Sequence, residues 1–280
     1  MTTTSSTAPA PAGGPSGDIA LQVKDLGMRF AGVTAVDGVS LSVASGSRLG
    51  IIGPNGAGKT TFFNMLSGEL TPTSGRIHVF GQDVTRMPSH KRVALGLGRT
   101  YQITRVLRGL TVLENLTVAM HGLSRSKLGL VRSWRSYKDK VVAAEELGAS
   151  FGMANLLRSY AEELSHGETR QLEVCLALAL KPSVLLLDEP AAGLSPAERV
   201  EIGALLRSLP PELTLIMIEH DMDVLRGAVG DIAVLHLGEL VTRGTVAEIQ
   251  QNELVRELYL GKSRQIDKSA GTAQSRVAHT

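Results

Sequence analysis

Gly53-Pro54-Asn55-Gly56-Ala57-Gly58-Lys59-Thr60 fits the pattern G-x-x-x-x-G-K-[ST] without a mismatch. An apolar run, 49–52, leads into it, and residues 59–67, which follow, have the composition of a helix. The stretch is therefore a strand–loop–helix joint. Glycines let such a loop turn its backbone N–H groups inward around phosphate oxygens, and the helix aims its positive end at the same charge. In this pattern Lys59 reaches the β- and γ-phosphates of a nucleotide, and the Thr60 hydroxyl ligates Mg²⁺. A glycine-rich turn with a coincidental lysine is the bland alternative, and the flanking strand and helix speak against it.

A second joint of the same kind lies further along. Val184-Leu185-Leu186-Leu187 is a fully apolar run that ends in Asp188-Glu189. Apolar residues without alternation predict a strand buried on both faces, and ligand sites in such sheets gather at the strands' carboxyl ends. Asp188 is placed there to hold Mg²⁺ through water, and Glu189 to accept a proton from an attacking water. Taken alone, a solvated strand end would explain the pair about as well.

Between and around these joints the pattern alternates. Leu21 and Val23, then Val39, Leu41 and Val43, have strand periodicity, punctuated by Gly27, Gly32, Gly38 and Gly46. Residues 76–80 suggest a small hairpin ending at Gly81, and 97–102 a further core strand. From 103 to 163 proline is absent and helix formers dominate, notably at 139–148 and 154–163, which predicts an inserted helical region. Strand–helix alternation returns with 184–187, a helix at 196–209, a strand at 213–218, a helix at 221–228 and a strand at 232–237. That order predicts an α/β core with a largely parallel sheet.

Composition bounds the function classes. Of 280 residues, 43% are hydrophobic and 20% charged, an ordinary globular balance. Lys+Arg 29 against Asp+Glu 27 leaves a net charge of +2, which gives no whole-protein argument for nucleic-acid binding. A single cysteine, Cys175, rules out a disulfide framework within the chain and a cysteine-rich zinc site; on an apolar helix face it is expected to be inert packing. No run approaches the roughly 20 apolar residues that span a bilayer. Residues 1–17 and 262–280 are expected to be disordered tails around a folded 18–261, with the helical insert at about 103–164. The N-terminal stretch has no apolar core and is not expected to be a secretory signal.

Leu164-Ser165-His166-Gly167-Glu168 narrows the class. Leu172, Cys175, Leu176 and Ala179 follow at helical spacing, which predicts a helix beginning near Thr169. Ser165 and Glu168 fit a capping box, and Ser165 with the backbone N–H groups there can also meet a phosphate. Both uses can hold at once. His166 has no visible companions that would make it a metal ligand.

With these motifs in this order, residues 19–261 resemble the ATP-binding cassette (ABC) ATPases. The resemblance implies a P-loop NTPase core with a parallel-rich sheet, an antiparallel β subdomain and an inserted α-helical subdomain. It implies that Gly53 to Thr60, with Thr61 beyond, bind ATP with Mg²⁺, and that the chain hydrolyses ATP. In the family, a Leu-Ser-Gly-Gly-Gln signature touches the γ-phosphate held by the opposite subunit. This chain keeps Leu164, Ser165 and Gly167 but carries His166 and Glu168, departures that bear on rate. The resemblance assigns Gln102 to Mg²⁺ and water sensing, although a polar strand end is the plain alternative. It assigns His220 to the γ-phosphate and Phe30 to stacking on adenine, although Phe30 could be core. Ala191-Ala192-Gly193-Leu194-Ser195 resembles the loop that crosses to the other subunit. There Ser195 is first a helix cap with Pro196 and Glu198, and second an inter-subunit contact.

One phosphate loop and one signature per chain imply a dimer, of identical or related chains, with two shared ATP sites. Without spanning segments, the resemblance further implies transmembrane permease subunits, and a peripheral position on the cytoplasmic face of the membrane. Gly98-Arg99-Thr100-Tyr101-Gln102, Leu110-Thr111-Val112-Leu113-Glu114-Asn115-Leu116 and Tyr259-Leu260-Gly261 look like the bacterial importer ATPases for branched-chain amino acids. Such importers work indirectly with a periplasmic or extracellular solute-binding protein. A lipid or lipopolysaccharide exporter ATPase, or a soluble non-transport ABC ATPase, is the alternative. The basic stretch 121–140, with Trp134, is either a solvated helix face or a surface near lipid headgroups or membrane subunits.

Overall fold

A computed structural model describes residues 18–100, 106–122 and 138–258. Two sheets carry the fold. The first is antiparallel, in the order β2-β1-β4-β5, from β1 (Ile19–Phe30), β2 (Val33–Ala44), β4 (Ser74–Val79) and β5 (Gln82–Asp83). The second has the order β10-β9-β3-β8-β7-β6, from β3 (Arg48–Ile52), β6 (Leu97–Arg99), β7 (Val184–Asp188), β8 (Thr214–Ile218), β9 (Asp231–His236) and β10 (Glu239–Thr245). Within it β9, β3, β8, β7 and β6 pair in parallel, and β10 returns antiparallel on β9. The described helices are α1 (Lys59–Ser67), α2 (Ser89–Ala94), α3 (Val112–Gly122), α4 (Lys138–Ser150), α5 (His166–Ala179), α6 (Pro196–Ser208), α7 (Met222–Leu225) and α8 (Val246–Gln251).

The central sheet is buried on both faces, and the strand period of two divides its side chains. Leu49, Ile51, Leu186, Ile216, Ile218 and Leu235 face one way, where Phe62, Phe63 and Leu66 of α1 and the inner face of the antiparallel sheet cover them. Leu185, Leu187, Leu215, Met217, Ile232 and Val234 face the other way, under α5, α6 and α8. A third cluster joins Val112 and Leu116 of α3 to Ala144 of α4 and to Leu172, Cys175 and Leu176 of α5. Helix α5 thus belongs both to the sheet layer and to the helical insert.

Arg92, 1% exposed, locks the antiparallel unit to α1. Its Nη1 donates to the Met65 and Leu66 carbonyl oxygens at 2.7 Å each, and its Nε donates to the Met87 carbonyl at 2.8 Å. A cation at a helix C-terminus satisfies carbonyls that have no partner inside the helix. Burial lowers the Arg92 pKa to about 10, which still leaves it charged at neutral pH.

Several boundaries differ from the sequence reading. Helix α5 starts at His166, not near Thr169, because the Ser165 Oγ accepts from the Glu168 N–H while the Glu168 carboxylate accepts from the Ser165 N–H. Residues 154–163 form two 3₁₀ turns, Ala154–Leu156 and Ala161–Glu163, rather than a continuous helix. Their backbone pairs outward: Ala161 N–H donates to the Leu110 carbonyl, and the Ser159 and Leu157 carbonyls accept from Val112 and Leu113. The helix expected at 221–228 is the single turn α7, which Gly227 ends with φ 76°. Strand β6 stops at Arg99, although Thr100 N–H still donates to the Leu186 carbonyl at 3.2 Å. Gly27 and Gly38 lie inside β1 and β2 instead of ending them.

Candidate functional site

Parallel register brings the chemistry to one edge. Ile51 pairs with Ile218, and Ile218 with Asp188, so β3, β8 and β7 end side by side. From those ends leave, in spatial order, the Gly53–Thr60 loop, the Glu219–His220 segment and the Asp188–Glu189 segment. Sequence positions about 130 and 160 residues from the loop are neighbours for this reason.

The loop is glycine-rich because its backbone is crowded. A Cβ on Gly58, at φ 92°, would overlap the Ala35 carbonyl, and one on Gly53 would overlap the Leu235 carbonyl. Ala57 N–H donates to the Pro54 carbonyl at 3.1 Å and closes the turn. Helix α1 then begins without a side-chain cap and without an acidic residue in its first turn. By contrast α5, α6 and α8 each carry a capping box. An uncapped N-terminus keeps its positive end available to an anion. Lys59, 8% exposed, folds back over the loop, and its Nζ donates to the Gly53 carbonyl at 2.7 Å and the Pro54 carbonyl at 3.1 Å.

A cavity of about 430 Å³ opens beside the loop, lined by Thr60, Asn64, Glu69, Arg99, Arg170, Asp188, Glu189 and Ala192. It brings the predicted Thr60, Asp188 and Glu189 together. A hydroxyl and two carboxylates form a hard oxygen donor set, which suits Mg²⁺. Burial pushes the Asp188 carboxyl above its usual range, and the Arg99 guanidinium opposes that shift. Glu189 has φ 47°, a left-handed conformation uncommon outside glycine and concentrated at functional sites. Its N–H donates to the Ile218 carbonyl at 3.0 Å, which ties the strained residue to the end of β8.

The remaining predicted residues lie outside this lining. His220 sits just past β8 with its side chain 61% exposed. Phe30, 43% exposed, ends β1 at a tight turn through Ala31 and Gly32. Ser165 is exposed at the N-terminus of α5, and Gly167 N–H donates to Glu198 Oε1 at 2.9 Å. Ser195 caps α6, its Oγ accepting from the Glu198 N–H, as the sequence predicts. Gln102, Tyr259, Leu260, Gly261, Trp134 and most of the basic stretch 121–140 fall outside the described residues.

Two functional candidates have no role in the sequence reading, Arg99 and Glu219, and Glu198 appears there only as part of the α6 cap. Arg99, 4% exposed, donates from Nη1 to Asn64 Oδ1, Ser67 Oγ and Glu69 Oε2, and from Nη2 to Asp188 Oδ2. Glu219 is fully buried at the end of an apolar strand. A charge inside or abutting an apolar strand is the signal that could have found both.

The family model for the ABC transporter matches residues 36–192, from the middle of β2 through the loop and the acidic pair. The chain belongs to the ABC transporter family. Relatives extend the match over most of the ABC cassette. The high-affinity branched-chain amino acid transport ATP-binding protein BraF of Pseudomonas aeruginosa is 36% identical over 250 residues, covering 87% of this chain and 98% of that protein. LivG of Escherichia coli, of the same description, gives the same identity and coverage. The lipopolysaccharide export system ATP-binding protein LptB of Acidithiobacillus ferridurans is 33% identical, covering 88% and 98%. Among solved structures, an ATP-binding cassette of an ABC transporter in its ADP conformation superposes with TM-score 0.76 at 29% identity, covering 87% of this chain and 99% of that one. The chain is thus an ATP-hydrolysing ABC subunit of α/β fold. Among the described residues no helix is long and apolar enough to cross a membrane.

Proposed function

We propose that this ABC ATPase powers the import of branched-chain amino acids or related small solutes, working from the cytoplasmic face of the membrane beside permease subunits. The observation that carries this reading is the 36% identity to BraF and LivG along 98% of each. The relative named for lipopolysaccharide export, at 33%, keeps an exporter as the second reading. The working domain is 18–261 with its helical insert at about 103–164, and a solute-binding protein delivers the solute on the far side.

In this reading Gly53 to Thr61 wrap the phosphates of ATP and Phe30 stacks on adenine. Lys59 leaves the Gly53 and Pro54 carbonyls for the β- and γ-phosphate oxygens, exchanging neutral acceptors for anionic ones. Thr60, Asp188 and Gln102 would hold Mg²⁺, which would neutralise charge on the phosphates. Glu189 takes a proton from water as its oxygen bonds to the γ-phosphorus. The bond from that phosphorus to the bridging oxygen breaks, giving ADP and phosphate. His220 donates to a γ-phosphate oxygen. Ser165, Gly167 and Glu168 of a second copy, or of a related chain, close over the same phosphate. For Gly167 this requires the Glu198 carboxylate to give up its N–H.

Glu189→Gln tests this reading. It keeps the side chain's shape and removes its basicity, so ATP binding is retained, turnover is lost and a nucleotide-bound dimer accumulates in size-exclusion chromatography. Steady turnover in that variant would remove Glu189 from the reaction.

A further inference from the structure

Strand β8 is apolar from Leu215 to Ile218 and delivers Glu219 into a position wholly closed to solvent. A buried carboxylate is costly to desolvate and persists only where donors surround it. Here Oε1 accepts from the Ala191 N–H at 3.0 Å. Oε2 accepts from the His220 N–H at 2.8 Å and the Asp221 N–H at 3.4 Å, and the His220 ring Nδ1 lies 3.5 Å away. One side chain therefore fastens two segments: the one with Glu189, two residues before Ala191, and the one with His220 itself. Glu219 does not line the cavity at Thr60, Asp188 and Glu189. The other acidic group next to it in sequence, Asp221, is turned toward Arg199 at 3.3 Å.

We propose that Glu219 is a positioning residue for hydrolysis, setting the spacing between Glu189 and His220 and holding the His220 ring with a proton on Nδ1. The proposal rests on the reading that those two residues act on the γ-phosphate. An ionised carboxylate offers lone pairs alone, so at 3.5 Å it favours the ring form with the hydrogen on the nitrogen that faces it, an ion-pair contact that a closer approach would turn into a hydrogen bond. Nε2 is left for the phosphate. It donates to an anionic oxygen when the ring takes its second proton, and the Glu219 charge balances that form, much as a buried carboxylate orients and balances the histidine of a hydrolytic triad. The Ala191 bond acts on the other partner. It fixes the backbone that holds Glu189 in its left-handed conformation.

The test is steady-state ATP hydrolysis by the full chain as wild type, Glu219→Gln, Glu219→Asp and Glu189→Gln. In Glu219→Gln an amide group faces a backbone N–H donor, and the charge is gone. We expect kcat to fall ~10- to 100-fold with KM for ATP within ~2-fold. Glu219→Asp, which keeps the charge on a shorter stem, recovers part of the loss. Wild-type kcat in Glu219→Gln beside an inactive Glu189→Gln overturns the positioning role alone. Turnover by Glu189→Gln overturns the reading beneath it. A fall in kcat matched by an equal loss of ATP affinity makes Glu219 a structural staple and also overturns the proposal. Should Glu219→Gln not fold, the ¹⁵N shifts of the His220 ring in the wild-type chain decide: a protonated Nδ1 is expected, and a bare Nδ1 refutes it.

Discussion

Arg99 Nη2 lies 3.0 Å from Asp188 Oδ2, so the carboxylate that ends β7 is held by a guanidinium from the neighbouring strand β6. Both groups are largely buried, with side-chain exposures of 5% and 16%. The same guanidinium reaches Asn64, Ser67 and Glu69 at the C-terminal end of α1 and sits 5.8 Å over the Phe63 ring. One cation thus links the acidic pair to the helix that follows the phosphate loop. Breaking a buried pair leaves an uncompensated charge, so Arg99→Met is expected to lower folding stability by about 3 kcal/mol. Lys at this position cannot match a planar fork over four acceptors, and Arg99→Lys is expected to recover less than half of the loss. Urea unfolding of the three proteins measures both. Equal midpoints would show that solvent, not Arg99, balances Asp188.

Lys59 is the second cation, and its contacts predict a different outcome. Its Nζ donates to two carbonyls of its own loop, Gly53 and Pro54, and its charge also acts on the Asp188 carboxylate. Removing it leaves neutral carbonyls rather than an uncompensated buried charge, so stability should fall by less than in Arg99→Met. Affinity should not survive. A hydrogen bond to a charged group is worth about 1.5–3 kcal/mol, so Lys59→Ala is expected to raise the dissociation constant for ATP by ~10- to 100-fold or more. Titration with a fluorescent nucleotide reads the constant, and a melting curve reads the fold. Unchanged nucleotide affinity would end the role of Lys59 at the phosphates.

The contrast between these two cations explains what the sequence disclosed. Lys59 belongs to a contiguous pattern of eight residues whose purpose is local, and it was legible at once. Asp188 and Glu189 were legible because an apolar run can end only where its sheet ends. The capping boxes at Ser165 and Ser195 are likewise local, and the structure contains both. Arg99 and Glu219 work across strands, through partners 30 to 89 and up to 28 residues away, so a charge beside an apolar strand flags the residues while their partners stay hidden. The 154–163 segment was misread for the same reason. Its helix formers promise a helix, but its backbone groups bond to 108–113 instead. Small elements such as α2, β10 and α8 also escaped, since their short runs carry too few residues to establish a period.

Cys175 gives a third prediction. It is fully buried among Leu172, Leu176 and the α3–α4 cluster, and burial pushes its thiol up to about 12. The thiolate is the reactive form, so at neutral pH the native protein should not react with a thiol reagent on the timescale of minutes. Full reaction should appear only with unfolding, at the same denaturant concentration as the loss of circular dichroism. Rapid labelling of the native chain would mean that the α3–α5 contact opens while the sheet stays intact.

Glu198 joins the N-termini of two helices, and that makes its contribution dependent on pH. Its Oε2 accepts from the Ser195 N–H at 2.8 Å and its Oε1 from the Gly167 N–H at 2.9 Å. Hydrogen bonds from Ser195, and then the Gly167 N–H, hold its carboxyl below the ordinary glutamate value of 4.5. In the unfolded chain the group returns to that value and binds its proton more readily. The folded state therefore carries fewer protons, and the stabilisation is complete above 4.5 and is lost as pH falls through the depressed folded value. Glu198→Gln should melt below the wild type at about pH 7, and the gap between their melting temperatures should close as the pH drops well under that of an ordinary carboxyl. A gap that stays constant across the titration would mean that the carboxylate charge contributes nothing at either helix end. The same variant bears on nucleotide closure, because the Gly167 N–H that Glu198 holds is the one expected to meet a neighbouring subunit's phosphate. A weaker intramolecular acceptor at that N–H should favour the closed dimer, so Glu198→Gln combined with Glu189→Gln is expected to trap more ATP-bound dimer than Glu189→Gln alone in size-exclusion chromatography. Less dimer in the double variant would mean that Glu198 shapes the docking surface rather than competing for its donor.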